Sequence, residues 1–336
     1  MTLMRDECAE APDRVADALA EDADLFRALG DVLRTRPPPF AATVARGSSD
    51  HAATFASQVF AQAAGIVTAS LSPSVVTRYN ATLRTEGALV LALSQSGGSP
   101  DLVRTLEAAR RSGALTVAVV NAEGSPLAAA AEWVVPQRAG PERAVAATKS
   151  FVLTLLAVAR LVAAWTNDGA LLAALPRLPG RLRAALAAEW PAELDAPRGL
   201  YVVARGPALA TAQEAALKLK ETSRLHAEAF SAAELRHGPR AVAVPGFPIL
   251  AFATDDAGGD DTRALAEELE AAGSPVLWAS ARPGPGLHLP LPPPLHPWLD
   301  PLVAVLAFYP WAERLASSRG LDPDRPAGLL KVTQTT

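Results

Sequence analysis

Cysteine is almost absent: Cys8 is the only one in 336 residues. A single thiol excludes an internal disulfide framework and a Cys-based zinc cluster. A surplus of one charge sign is also missing, with 31 Lys and Arg against 35 Asp and Glu and a net charge of −4. A polyelectrolyte binder of nucleic acid needs a basic surplus, so that class is set aside. No apolar run reaches about 18 residues without a charge, as a membrane span would require. The longest candidate, Phe151 to Trp165, carries Arg160. The N-terminus opens on Arg5, Asp6 and Glu7 with no apolar stretch behind them, unlike a signal peptide. Gly-x-x-x-x-Gly-Lys does not occur, so a nucleoside-triphosphate loop of that kind is not expected. What is plentiful is apolar material, 50% of the chain, against 20% charged residues. At roughly 100–200 residues per domain, the length suggests two domains, each able to bury a core. The expectation is a soluble, cytoplasmic, two-domain protein.

The chain repeats itself. Thr43-Val44-Ala45-Arg46-Gly47 recurs as Val202-Val203-Ala204-Arg205-Gly206, and the apolar run ending at Ser94 has a counterpart ending at Thr254. The offsets, 206 − 47 = 159 and 254 − 94 = 160, point to a tandem duplication. In the first copy, short apolar runs at Ala41–Ala45, Ala88–Leu93, Leu115–Val120 and Trp133–Val135 read as strands. Asp101–Ser112 and Ala146–Trp165 read as helices. In the second, Leu200–Ala204, Ile249–Ala253 and Val276–Ala279 read as strands, with helices over Ala210–Leu225 and Asp261–Ala272. Alternation of this kind predicts α/β units, each a doubly wound parallel sheet with helices on both faces. The expected organisation is an N-terminal helical segment over 1–36, a first unit over 37–170, a second over 195–320, and a C-terminal loop over 321–336. One helix is expected over Asp13 to Leu33. Leu175–Pro197 reads as a polar linker and Pro283–Pro297 as a rigid surface connection.

Ser94-Gln95-Ser96-Gly97-Gly98-Ser99 follows a strand and precedes Pro100-Asp101, which suit a first helical turn. In doubly wound sheets ligands bind at the carboxyl ends of strands. A helix N-terminus there offers N–H groups and a positive dipole end to a phosphate. Serine hydroxyls add donors, and glycines let the backbone approach closely. Ser48 and Ser49, after the first strand, would add two hydroxyls at the same edge. The second copy carries Thr254-Asp255-Asp256-Ala257-Gly258-Gly259-Asp260-Asp261 at the equivalent place, and its carboxylates would repel a phosphate. The ligand is expected to be a small monophosphate held by the first copy.

Glu214, Lys218, Glu221 and Leu225 share one helical face at i, i+4, i+7, i+11. Such a face is usually solvated. Here it is followed by His226-Ala227-Glu228 and by Glu234-Leu235-Arg236-His237-Gly238-Pro239, the latter reading as a turn. A carboxylate and a histidine alongside a phosphate cradle supply general acid–base chemistry for a sugar phosphate. His226 and Glu228 could also be two metal ligands, but no third is evident.

These segments resemble the sugar isomerase (SIS) domain family. The residues that carry the resemblance are Ser94-Gln95-Ser96-Gly97, Ala147-Thr148-Lys149, Ala216-Leu217-Lys218-Leu219-Lys220-Glu221 and the Glu234–Pro239 turn. Within that family the chain is most similar to the isomerase half of glucosamine–fructose-6-phosphate aminotransferases, over about residues 40–336. The resemblance implies two tandem Rossmann-like SIS units. It implies a phosphate held by Ser94, Gln95, Ser96 and Ser99, and a sugar pocket lined by Ser48, Ser49 and the backbone of Val145. Glu221 would move the proton between C1 and C2, with Lys218 beside it. His237 would assist ring opening, reaching in from the partner of a homodimer with shared active sites. Lys331 would form a Schiff base with the ketose. An unperturbed lysine has a pKa of about 10.4, so attack at neutral pH needs a depressed value, to which the charge of Lys218 could contribute. No metal or organic cofactor is implied. The chain departs from the pattern at Ala147, where the family has serine, and at Gly98, where the aminotransferases have glutamate and free-standing SIS proteins look more alike.

Only about 40 residues precede the first unit, too few for the aminotransferases' glutaminase. The expectation is the reverse reaction, glucosamine 6-phosphate to fructose 6-phosphate and ammonia. The alternatives are a fructosamine-6-phosphate deglycase or another phosphosugar isomerase, or a non-catalytic phosphosugar sensor.

Overall fold

The computed structural model describes residues 2–191, 194 and 199–331. Its elements run α1 (Leu3–Ala20), α2 (Ala23–Thr35), β1 (Ala41–Val44), α3 (Ser48–Ala64), β2 (Thr68–Ser70), α4 (Ser74–Thr77), β3 (Leu89–Ser94), α5 (Pro100–Arg111), β4 (Leu115–Val120), α6 (Pro126–Ala130), β5 (Trp133–Pro136), α7 (Lys149–Thr166), α8 (Gly169–Ala174) and α9 (Leu178–Leu186). They continue as β6 (Leu200–Ala204), α10 (Leu209–Ser223), β7 (Ala227–Ser231), α11 (Ala232–Arg236), β8 (Ile249–Phe252), α12 (Ala257–Ala271), β9 (Val276–Ser280), β10 (Leu287–Pro290) and α13 (Asp300–Ser318).

Two compact units result. One holds Asp13–Glu142 and Ser150–Pro176; the other holds the residues up to Pro12, Arg143–Lys149 and Arg177–Lys331. The first unit contains a sheet in the order β2-β1-β3-β4-β5, and every pairing in it is parallel. The second contains a sheet in the order β10-β9-β8-β6-β7, also all parallel. Read from β7, that is the same winding: second strand, first, third, fourth, fifth. The α/β class and the two doubly wound sheets expected from the sequence are therefore observed. The central strands β1, β3, β6, β8 and β9 are buried along their whole length, as strands covered on both faces must be. Their side chains build two cores, around Val44, Val90, Leu106 and Val120 in the first unit and around Val203, Ile249, Leu265 and Trp278 in the second.

Three local expectations are corrected. The helix expected over Asp13–Leu33 is two helices, broken at Asp22, which takes a left-handed φ of 61°. Arg138 holds the Asp22 carboxylate at 2.8 and 2.9 Å and fixes that break. The expected linker Leu175–Pro197 contains α9, which buries Leu178, Leu182 and Ala185. The Pro-rich connection contains β10, an edge strand of the kind that tolerates proline, which ends at Pro290. Helix α7 is long and apolar enough to cross a membrane, yet 89% of its apolar window is buried inside the protein, as in a core helix.

Candidate active site

In the first sheet the winding reverses between β1 and β3, neighbours with a parallel register of Thr43 to Leu91 and Val44 to Ala92. Ligands of such sheets bind outside the carboxyl ends at this reversal. Ser48 and Ser49 begin α3 just beyond β1, and both are half-buried. The helix is introduced by Gly47 at φ 56°, and no side chain caps it. Ser94 is the last residue of β3, and the loop from Gln95 to Ser99 leads directly into α5. The Ser94 hydroxyl is buried and accepts the Gly97 N–H at 3.1 Å, so it shapes the turn from within. Ser96 accepts the Gly98 N–H at 3.4 Å. Gln95 fixes the loop through its carbonyl, which accepts from Asn121 N at 3.1 Å. Gly97 has φ 60°, and a Cβ there would lie 2.1 Å from Ser125 Oγ, so only glycine fits. Ser99 is the N-cap of α5, yet its hydroxyl makes no cap hydrogen bond, and Pro100 fills the first turn. Two helix N-termini without side-chain caps thus follow adjacent strands, an arrangement suited to an anion.

The equivalent place in the second sheet is closed to an anion. Asp256 caps α12 and accepts the Gly259 N–H at 2.8 Å, while Thr254 donates to Asp256 at 2.9 Å. A carboxylate already occupies the helix dipole there.

One pair at the cradle escaped the reading of the sequence. Arg46, just past β1, bonds Asp101 of α5 through Nη2 at 3.1 Å and Nε at 3.3 Å. Arg205 bonds Asp261 in the second unit at 2.8 Å. The signal was present, since both arginines stand in the repeated Ala-Arg-Gly.

The second unit carries the acid–base candidates. On α10, Glu214 and Lys218 are fully buried, and Leu225 beyond the helix end is buried as well. The face is therefore an inward one, not a solvated one. The Lys218 ammonium lies 3.4 Å from Glu214 Oε1 and donates to Glu221 Oε2 one turn further on. Tyr309 of α13 donates to Glu214 at 3.4 Å. Burial works to lower the Lys218 pKa, but the charges of Glu214 and Glu221 outweigh it and hold the ammonium well above the usual lysine range. Lys218 is thus engaged by two carboxylates. Glu221 retains 21% exposure of its side chain, so its carboxylate is half-open at one end and anchored at the other.

His237 ends α11 and is exposed. Its ring makes no hydrogen bond to Glu221 or Lys218 among the described residues. Its turn is braced: Arg236 and Arg240 both bind Glu268, at 2.8 and 2.7 Å, and Tyr201 donates to the Pro239 carbonyl at 3.0 Å. His226 and Glu228 are both exposed, and among the described residues no group of three His, Cys, Asp or Glu side chains is placed to hold a metal ion.

Val145 falls in the same unit as Glu221 and His237, and its N–H donates to the Asp324 carbonyl at 3.0 Å. Lys149, from the Ala-Thr-Lys segment, is wholly buried and bonds Glu10 at 2.5 Å. Glu142 accepts from Ser150 N at 3.0 Å and Ser150 Oγ at 2.6 Å, capping α7. Lys331 is the last described residue, half-buried beyond the Pro326–Leu329 turn.

The SIS domain model matches residues 41–164 and 193–278, and the chain belongs to the SIS domain family. It is 33% identical over 339 residues to the glutamine–fructose-6-phosphate aminotransferase (isomerizing) of Methanothermobacter thermautotrophicus, covering 98% of this chain and 56% of that relative. It is 37% identical over 259 residues to the Pyrobaculum aerophilum protein of the same name, covering 73% and 43%. The chain spans about half the length of these curated relatives. Among solved structures, a protein of Silicibacter pomeroyi DSS-3, provisionally designated a phosphosugar isomerase, is 43% identical with a TM-score of 0.92, covering 96% of this chain and all of that one. The glucosamine-6-phosphate deaminase of Thermotoga maritima shares the fold at 21% identity and a TM-score of 0.73, covering 97% and 100%.

Proposed function

We propose that the protein is a phosphosugar isomerase of the SIS type, and that its reaction is the deaminating isomerisation of glucosamine 6-phosphate to fructose 6-phosphate and ammonia. The observation that carries this reading is the Lys218–Glu221 pair. Catalysis of aldose–ketose exchange needs one carboxylate that removes a proton from C2 and returns it to C1. Glu221 has the required form: a partly open carboxylate oriented by a buried ammonium. A pure sensor of sugar phosphate has no use for that pair.

The cradle over Ser94–Ser99, with Ser48 and Ser49, takes the phosphate by N–H and hydroxyl donors. His237 assists opening of the sugar ring, and in this proposal it serves the site of a second copy in a homodimer. Glu221 takes the C2 proton of the open aldose and delivers it to C1, leaving an imine at C2. Water adds to that imine and ammonia leaves, so one water is consumed for each ammonia released. Lys331 offers a second route, in which its amine displaces ammonia as a Schiff base that water then hydrolyses.

The second reading is a fructosamine-6-phosphate deglycase or a simple ketose–aldose phosphate isomerase. Gly98 favours it, since the loop there looks more like free-standing SIS proteins than like aminotransferases. Ammonia release measured over a panel of amino- and fructosamine 6-phosphates decides between them. The account expects ammonia from glucosamine 6-phosphate. Turnover of fructosamine 6-phosphates alone, or aldose–ketose exchange without ammonia from any aminosugar, would replace it.

A further inference from the structure

Three segments far apart in sequence meet within the second unit: the start of α1, the loop 143–149 and the C-terminal loop. Each meets the others through charged or backbone groups. The Asp324 carboxylate accepts the N–H groups of Leu3 and Met4, both at 2.8 Å, and so caps α1 from 320 residues away. The carbonyl of the same residue accepts the N–H of Val145 at 3.0 Å. One turn into α1, Glu7 is 4% exposed, and its carboxylate accepts the backbone N–H groups of Arg143 and Ala144, the latter at 3.3 Å. One turn further, Glu10 accepts from the buried Lys149. Thr2 reaches Glu313 of α13 at 3.1 Å, and Arg319, at the end of α13, donates to the carbonyl of Ser223, the last residue of α10.

A buried carboxylate is costly unless its lone pairs are satisfied, and the Glu7 carboxylate accepts N–H groups of the loop backbone. A helix N-terminus is ordinarily capped by the residue before it. Here a residue from the C-terminal loop does so with charge, in addition to Thr2. These choices tie backbone to backbone, which matters for a loop whose position counts more than its side chains.

We propose that Glu7 and Asp324 are positioning residues that latch the 143–149 loop and the C-terminal loop onto α1, so that Val145 and the approach to Lys331 are set together. The part played in turnover rests on the function proposed above; the latch itself does not. It makes the part of α1 up to Pro12 a working part of the second unit.

Amide hydrogen exchange and borohydride trapping test the latch on the full-length protein. Asp324→Ala removes both bonds to α1 but leaves the carbonyl that holds Val145. A latch requires the Val145 amide to exchange at least tenfold faster in that variant, together with Leu3 and Met4. It also requires adduct formation at Lys331 with fructose 6-phosphate and borohydride to fall about tenfold. Proton exchange at C2, which depends on Glu221, should change less than threefold. Glu7→Ala should give the same pattern and Glu7→Gln, which keeps an acceptor, should restore most of it. Faster exchange confined to Leu3 and Met4 would overturn the coupling and leave an ordinary cap. If unsubstituted protein shows neither C2 exchange nor trapping, the functional reading fails, while the Val145 exchange result still decides the latch.

Discussion

Arg46 reaches from the end of β1 to Asp101 in the first turn of α5, at 3.1 Å, and Arg205 reaches Asp261 in the same way at 2.8 Å. The two pairs are separated by 205 − 46 = 159 and 261 − 101 = 160 positions, the spacing of the repeated strands. They differ in burial. Asp101 is 2% exposed, whereas Asp261 is half-exposed. Removing a cation from beside a buried carboxylate costs more than removing one from an exposed pair. Arg46→Ala should therefore cost about 1–2 kcal/mol in denaturant unfolding and Arg205→Ala less than about 1 kcal/mol. Equal costs would mean that the cradle pair is only a surface contact.

The cradle separates shape from binding. Ser94 accepts a bond within the turn, whereas the Ser99 hydroxyl caps nothing. Ser96→Ala and Ser99→Ala should each raise KM for the phosphorylated substrate by the loss of a charge-assisted bond, roughly 1.5–3 kcal/mol or about 10- to 150-fold. Steady-state kinetics on glucosamine 6-phosphate read this directly. Turnover of unphosphorylated glucosamine at the same KM would show that the cradle holds something else.

Asp300 gives a pH dependence with a definite sign. Burial raises its pKa to about 6, against the acceptance of the Leu295 and His296 N–H groups, which lowers it. A folded-state value above the unfolded one contributes stability that is complete below about pH 4 and is lost as pH rises through 6. Asp300→Asn keeps the acceptor for Leu295 and removes the charge. The variant should gain on the native protein between pH 4 and 7, by no more than about 3 kcal/mol. Thermal unfolding across that range checks it, and two parallel stability curves would contradict it.

The proposal that His237 serves the site of a second copy is tested by mixing chains. Chains carrying Glu221→Gln and chains carrying His237→Ala should each be impaired. Heterodimers formed from them should recover partial activity, because one site then holds both native groups. No recovery, with chain exchange verified by mass, would place both residues in the service of one subunit.

The buried strands were legible because parallel strands covered on both faces read as unbroken apolar runs, and β4 matches Leu115–Val120 to the residue. The edge strands β2, β7 and β10 were not. Thr68–Ser70 is short and largely exposed, β7 mixes Glu228 with small residues, and β10 sits among prolines. The break at Asp22 has no glycine or proline to announce it, since its cause is Arg138, 116 positions away. In the site, the spacing of Glu214, Lys218 and Glu221 showed a common face, but only tertiary packing makes that face inward. Arg46 and Asp101 were visible only as members of two separate motifs, because their pairing depends on which strands are neighbours.

The most direct test of the central claim is deuterium exchange at C2. Glucosamine 6-phosphate is incubated with the protein in heavy water, and recovered substrate and product are read by NMR while ammonia is assayed in parallel. The account predicts solvent deuterium at C2 of recovered substrate or C1 of product, with ammonia released. In Glu221→Gln both should fall by about 10²–10⁴-fold, with substrate binding nearly unchanged. Exchange and ammonia release that persist in Glu221→Gln would contradict the assignment of Glu221 as the base.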